Sequence, residues 1–281
     1  MKITQEQLDF LDRFSCERLS EHLKHKEILN NFYNSRGETI VNYFKNKAWS
    51  EDNKGDIAYY LIKSPIGDVV MFFSLKCGSL FNPFNEDEIN EKFKKNKQKL
   101  LNFLAKKKKS EKKVNFKTLK RKYKLGKQTK KYYEKVSLLK LEKEKEVNKK
   151  IIRVENTYPS VELVHFCVND SAKEYWKKNS NCNHTLGEVM FWKFIVPIIF
   201  KIQSLIGCQY LFLFAADMSE DNNLINYYNV ALKFEQPEHI GTNKPKYDFC
   251  CRFMCQEINT LKTNQEEYFE NFNPNDDDVL I

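Results

Sequence analysis

The sequence predicts an α/β fold: a mixed, mostly antiparallel sheet flanked by helices and interrupted by an inserted basic helical arm. Short runs of β-branched and aromatic residues alternate with stretches of helical spacing, as strands and helices require. One apolar stretch, 189–206, is too long for a strand. Charge is segregated: residues 91–150 hold 25 Lys and Arg against 6 Glu, a net of +19, so with +9 overall the rest carries −10. An acidic body therefore carries a basic insertion. Hydrophobic residues make up 41% of 281, enough for one large domain or two small ones, and eight glycines with seven prolines exclude a collagenous or low-complexity chain.

Taken in order, Leu8, Leu11 and Phe14, then Ile28, Leu29 and Phe32, recur at three or four and predict helices over 8–34 and 36–46. The cluster FSCERL reads equally as a short strand. Residues 57–63 and 69–76 flank SPIGD, whose Pro65 and Gly67 suit a turn, so they predict a hairpin. Within 86–150 helical spacing resumes around a lysine-rich centre, broken at Gly126, and predicts two helices projecting as an arm. Lysines outnumber arginines 41 to 6, which gives point charges rather than the planar fork that grips phosphate bidentately. Solvation alone, polyanion binding, and docking onto the acidic body or a partner all remain open to it.

After the arm, 161–168 (VELVHFCV) predicts a strand, 185–206 a buried helix, 209–215 a buried strand, 219–234 a helix and 247–257 a closing strand. Residues 1–85 and 151–260 are then two halves of one domain, with 261–281 as a tail. Thr185 and Glu188 fit a capping box, and Ser219 followed by Glu220 and Asp221 caps the next helix. Pro197 removes the donor that would bond Lys193 and predicts a kink. Lys193, Lys201, Gln203 and Pro197 make the apolar stretch a buried element rather than a membrane span. The first twenty residues lack a basic start followed by an apolar run, so no signal peptide is expected, and the protein is expected to be soluble and cytoplasmic.

The eight cysteines show no CxxC and the five histidines no His-x3–5-His pair, so reduced thiols are expected and no metal site. G-x-S-x-G, Walker A, HExxH and DxDxDG patterns are all missing. Cys182 and His184 are close in sequence, which is no evidence of a cysteine hydrolase.

Four segments in order, VELVHFCV, HTLGEVMFWKF, QYLFLFAAD and NNLINYYNVALKF, resemble a GNAT-superfamily N-acyltransferase over 57–257 less the arm. That family's acyl-CoA loop usually reads Gln/Arg-x-x-Gly-x-Gly/Ala. Here the best register is His184-x-x-Gly187-x-Val189, with an unusual leading residue and Val in the last small position. The resemblance implies acetyl-CoA as co-substrate, no metal, and direct acyl transfer to a primary amine. It implies coenzyme contacts from Cys167 and Val168 at a strand end, Leu186, Gly187, Glu188 and Val189 at a helix start, Lys177 (with Lys178) upstream, and Asn223 or Asn222. A helix start suits a pyrophosphate, though the Glu188 carboxylate repels one unless it turns back to the cap.

On the strand that the family uses to line its cleft, Glu162 is the first candidate for general base and His165 the second. Alternation puts Glu162 and Val164 on one face and Leu163 with His165 on the other unless a bulge intervenes, so the two compete. Burial between Val161 and Leu163 raises the Glu162 pKa toward the range a base needs. Tyr228 matches the family's general acid, with Tyr227 the adjacent alternative. The basic arm points to a large or anionic acceptor, tRNA as in toxin-type members or a protein. Two other readings stand beside this one: a non-catalytic GNAT-like nucleic-acid-binding protein using the arm, and a partner module whose arm docks an acidic protein.

Overall fold

Six strands lie side by side in chain order: β1 Ser15–Arg18, β2 Ala58–Lys63, β3 Val69–Pro83, β4 Val154–Val168, β5 Tyr210–Ala216 and β6 Cys251–Glu257. The pairs β1–β2, β2–β3 and β5–β6 are antiparallel and β4–β5 is parallel. This is the mixed, mostly antiparallel sheet flanked by helices that the sequence predicts. The computed structural model describes residues 2–83, 154–217, 219, 221–243 and 251–273. The chain divides into two units, Met1–Asn82 with Glu155–Ile281, and Pro83–Val154. The predicted basic arm, 86–150, lies outside the described residues.

The hairpin β2–β3 forms where SPIGD predicts it. Gly67 takes a left-handed φ of 90°, and the amides of Ser64 and Gly67 donate to Asp68 and Ser64 at 2.8 and 2.9 Å. The N-terminal region departs from expectation. The helix predicted over 8–34 is instead α1 Gln5–Leu11, strand β1, and a short α2 Lys24–Ile28. FSCERL is thus a strand, because pairing with β2 outweighs local helical spacing. Asp52 fastens this region. Its buried carboxylate accepts from Arg18 Nε at 3.0 Å, the Ser20 amide at 2.8 Å and the Tyr59 amide at 2.9 Å. That residue sits on α4 Trp49–Lys54, which continues through a π turn from α3 Glu38–Tyr43.

Helices cover both faces. On one, Val161, Leu163, Leu211 and Leu213 meet α1, α5 Asp170–Asn179, α6 Leu186–Ile206 and α8 Ile258–Glu270 in the main core. On the other, Tyr59, Leu61 and Phe72 meet Leu29, Phe32, Val41 and Phe44. Phe212 belongs to a third cluster with Leu80 and Cys255.

Helix α6 shows how the fold absorbs Pro197. Residues Phe191–Ile195 form a π turn just before it, so the ladder widens where a donor is lost. By length and composition α6 is apolar enough to cross a membrane, with a mean hydropathy of 1.7. Its apolarity serves the core: Val189 to Trp192, Ile195, Val196 and Ile199 are all fully buried, while Leu205 and Ile206 are exposed at its far end.

Helix α8 corrects the tail assigned to 261–281. Residues as far as Glu270 are helical, Ile258 and Leu261 are fully buried, and Phe272 beyond them is 1% exposed.

Candidate active site

The parallel β4–β5 ladder has three rungs, Ser160–Tyr210, Val161–Leu211 and Glu162–Phe212, although the strands run on to Val168 and Ala216. Past the last rung they part. The gap opens into a cavity of about 840 Å³, lined by Leu163 to Val168 (without His165) on one side and Leu213, Phe214 and Ala216 on the other. A strand whose neighbour departs leaves backbone groups on that edge for a ligand.

Strand β4 breaks its alternation inside this gap. Leu163 belongs to the main core, and Phe166 packs against the same core. His165 faces the other way: its Nδ1 lies 2.7 Å from Ser74 Oγ, and its ring stacks on Tyr43 and Tyr59 at 5.4 and 5.5 Å. Strict alternation would give Leu163 and His165 one face, so the strand slips by one residue at Val164. Glu162, paired with Phe212 away from the main core, therefore shares a face with His165, which reverses the predicted opposition. Neither side chain lines the cavity; Glu162, on the last rung of the ladder, precedes Leu163, which does. Burial raises the Glu162 pKa, with Lys76 opposing. Burial pushes His165 down to about 4, with Glu51 opposing, so it is neutral at pH 7 and a weak acceptor of protons.

The start of α6 forms another wall. Thr185 Oγ1 accepts from the Glu188 amide at 3.4 Å, and the Val189 amide makes the first intrahelical bond, to Thr185 O. This leaves the Leu186 and Gly187 amides to the cavity that both residues line. Gly187 is needed there: a Cβ would stand 3.0 Å from Tyr227 Oη and 3.2 Å from Val168 Cγ2. The predicted capping box is half formed. The Glu188 carboxylate turns to His184, with Oε1 2.9 Å from Nδ1, and not to the cap.

Of the predicted coenzyme contacts, the cavity gathers Cys167, Val168, Leu186, Gly187 and Lys177. It does not gather Glu188, Lys178 or Val189, the last fully buried in the core because α6 is apolar on that side too. Asn222 and Asn223 are also outside it, both exposed. The helix predicted over 219–234 is α7 Asn223–Val230. Its cap is chiefly Asp217, whose Oδ2 accepts from the Leu224 and Ile225 amides at 2.8 and 3.0 Å; Ser219 Oγ takes the Asn223 amide at 2.9 Å. The hydrogen bond from Ser219 above all holds the Asp217 carboxyl down at about 2.

Both tyrosines of α7 reach the cavity. Tyr227 is tied to Thr185 by a side-chain hydrogen bond. Tyr228 lies toward the gap, its ring 6.3 Å from Phe166, and burial pushes its hydroxyl far up, so it keeps its proton. Cys167 is raised to about 12 by burial and is no nucleophile at neutral pH.

Sequence reasoning missed the contribution of the N-terminal half. Asn34, Arg36, Gly37 and Ile40 line the far rim, and Lys173 stands near them. Asn34 Oδ1 accepts from the Arg36 and Gly37 amides at 3.0 and 2.7 Å while its Nδ2 donates to Val168 O at 2.7 Å. Ser35 donates to Asp170 Oδ2 from both amide and hydroxyl, at 2.7 and 2.8 Å. Such contacts across more than 130 positions carry no local signal in the sequence. Among the described residues, no three His, Cys, Asp or Glu side chains gather as a metal ion would require.

Fold and site together define a class: an α/β protein with a mixed six-stranded sheet and a cleft where two central strands separate beside a helix start. Among solved structures, a mutant of the AtaT toxin is similar over 90% of this chain and 94% of its own, at 9% identity and a TM-score of 0.48. AtaT complexed with acetyl-methionyl-tRNAfMet covers 89% and 98% at 10% identity and a TM-score of 0.45. The KacTA–DNA complex covers 90% and 99% at 10% identity and a TM-score of 0.47. No protein-family model and no curated protein matches the sequence.

Proposed function

We propose that this chain is an acyl-CoA-dependent N-acyltransferase, moving an acetyl group directly onto a primary amine of a large or anionic acceptor. The observation that carries this reading is one cavity bringing together three things: the parting of β4 from β5, the first turn of α6, and Tyr228, whose hydroxyl pKa is raised by burial. The residues fit an acyl carrier with phosphates. The Leu186 and Gly187 amides, the helix dipole, Lys177 and Arg36 suit the phosphates, and the freed edge of β4 suits an extended arm. Bound there, the thioester supplies an activated acyl group and a thiolate leaving group.

Glu162 takes the proton of the incoming ammonium, and Tyr228 returns one to the departing sulfur. The apolar walls contributed by Leu163, Leu213 and Leu224 exclude water from the junction. The reading carries with it a cytoplasmic setting, acetyl-CoA as co-substrate, no metal, and acceptor recognition by the basic segment 86–150, with tRNA or protein as the acceptor class.

Thermal unfolding with and without acetyl-CoA, against plain adenosine nucleotides, tests it. Ligand at ~100 times its dissociation constant adds about 2.7 kcal/mol, or several degrees. No shift at millimolar ligand would overturn the reading and favour nucleic-acid binding.

A further inference from the structure

His184 occupies the leading position of the anion-binding turn, and its surroundings give it a charge. Nδ1 lies 2.9 Å from Glu188 Oε1, and Nε2 lies 2.8 Å from the carbonyl oxygen of Phe272. Both neighbours are acceptors, so the ring satisfies both only when each nitrogen carries a proton. Its other contacts agree with that state. Tyr268 and Phe272 hold the ring at 5.0 and 4.8 Å, and Trp176 Nε1 donates to the His184 carbonyl at 2.9 Å. The titratable groups around it are Glu188 in the first turn of α6, Tyr268 from α8, Cys182 in the same loop, Lys177 from α5 in the cavity lining, and Tyr227 from α7 through Thr185.

We infer that His184 is a doubly protonated positioning residue, which cancels the charge of Glu188 beside the anion-binding turn and ties that turn to the C-terminal segment. Its role in ligand binding rests on the acyltransferase reading. A bare carboxylate at that turn opposes a pyrophosphate, and the ion pair removes the opposition. The segment itself is anchored: Gln7 Nε2 donates to Asn273 Oδ1 at 2.9 Å, and Asn273 Nδ2 donates to the Lys2 carbonyl at 3.1 Å. Burial lowers the His184 pKa, but the bonds to Glu188 and Phe272 outweigh it and the net direction is upward. The charge therefore persists to a higher pH than in an ordinary histidine and is lost as pH rises through that raised value.

Two measurements test this. The first titrates the imidazole of His184 by NMR in the unliganded protein. A midpoint above the ordinary histidine value that falls in Glu188→Gln supports the inference; a midpoint at or below the ordinary value overturns it. The second measures binding of 3′-dephospho-CoA, whose pyrophosphate charge is constant across the range. His184→Gln strands the Glu188 carboxylate and weakens binding about tenfold, or ~1.4 kcal/mol, and adding Glu188→Gln restores most of it. A double variant as weak as the single one would reduce His184 to a packing role. Failure of the wild-type protein to bind at any pH sinks the acyltransferase reading instead, and the NMR titration still decides the charge of His184.

Discussion

In the proposed reaction Tyr228 and Glu162 bear the proton transfers, and their environments set the direction of each. Tyr228 is 9% exposed and keeps its proton, so Tyr228→Phe should lower kcat by about a hundredfold or more while leaving the acetyl-CoA thermal shift intact. Loss of the shift together with the rate would move the tyrosine from chemistry to binding. In that reading Glu162 works as a carboxylate, and burial raises its pKa above the ordinary value. Activity should therefore fall as pH drops through that raised value, and Glu162→Gln should abolish this limb along with most of the rate. A pH–rate profile unchanged in the variant would shift the role of base elsewhere. The cavity takes in Tyr228 but not Glu162; the candidacy of both was legible because residue type and place within an element are local. The His184 pairing was not, since the Phe272 carbonyl lies 88 positions away. Nor was Asp217 as the cap of α7, because Ser219 and Asp221 offer the same chemistry closer to the helix.

Elements were legible where a turn or a long apolar run announced them. SPIGD gives the β2–β3 hairpin, and the run after Thr185 gives α6 with its capping threonine. Strand β1 stood only as an equal alternative to helix because Cys16 to Arg18 pair with Tyr60 to Ile62, partners that local spacing does not reveal. Helix α8 was hidden because only Ile258 and Leu261 of its thirteen residues are buried, too few for a clear stripe. The joint between α4, β1 and β2 depends on one carboxylate. Asp52→Ala leaves the Ser20 and Tyr59 amides without their acceptor and should cost about 1–3 kcal/mol in denaturant unfolding. A change within experimental error would mean that water replaces the lost oxygen.

Across the whole molecule, charge separates an acidic body from the basic segment 91–150, and the described residues that line the site belong to the body. Replacing 86–150 by a short flexible linker should therefore preserve the acetyl-CoA thermal shift and remove use of the acceptor. Loss of the coenzyme shift as well would assign the segment to the stability of the body. One feature of the body reaches further than its size. The single-residue slip at Val164 turns 165–168 relative to 161–163, so Phe166 looks toward the α6 side while His165 looks toward α3 and α4. For Val164 the side chain matters less than the count of residues. Exchange for Ile or Thr keeps both halves of the strand in frame, and removing this extra residue would restore plain alternation with the side chains of 165–168 still on their present faces. In a scan of single-residue variants, this position should tolerate replacement, and deletion here should be better tolerated than deletion at Glu162 or Phe166.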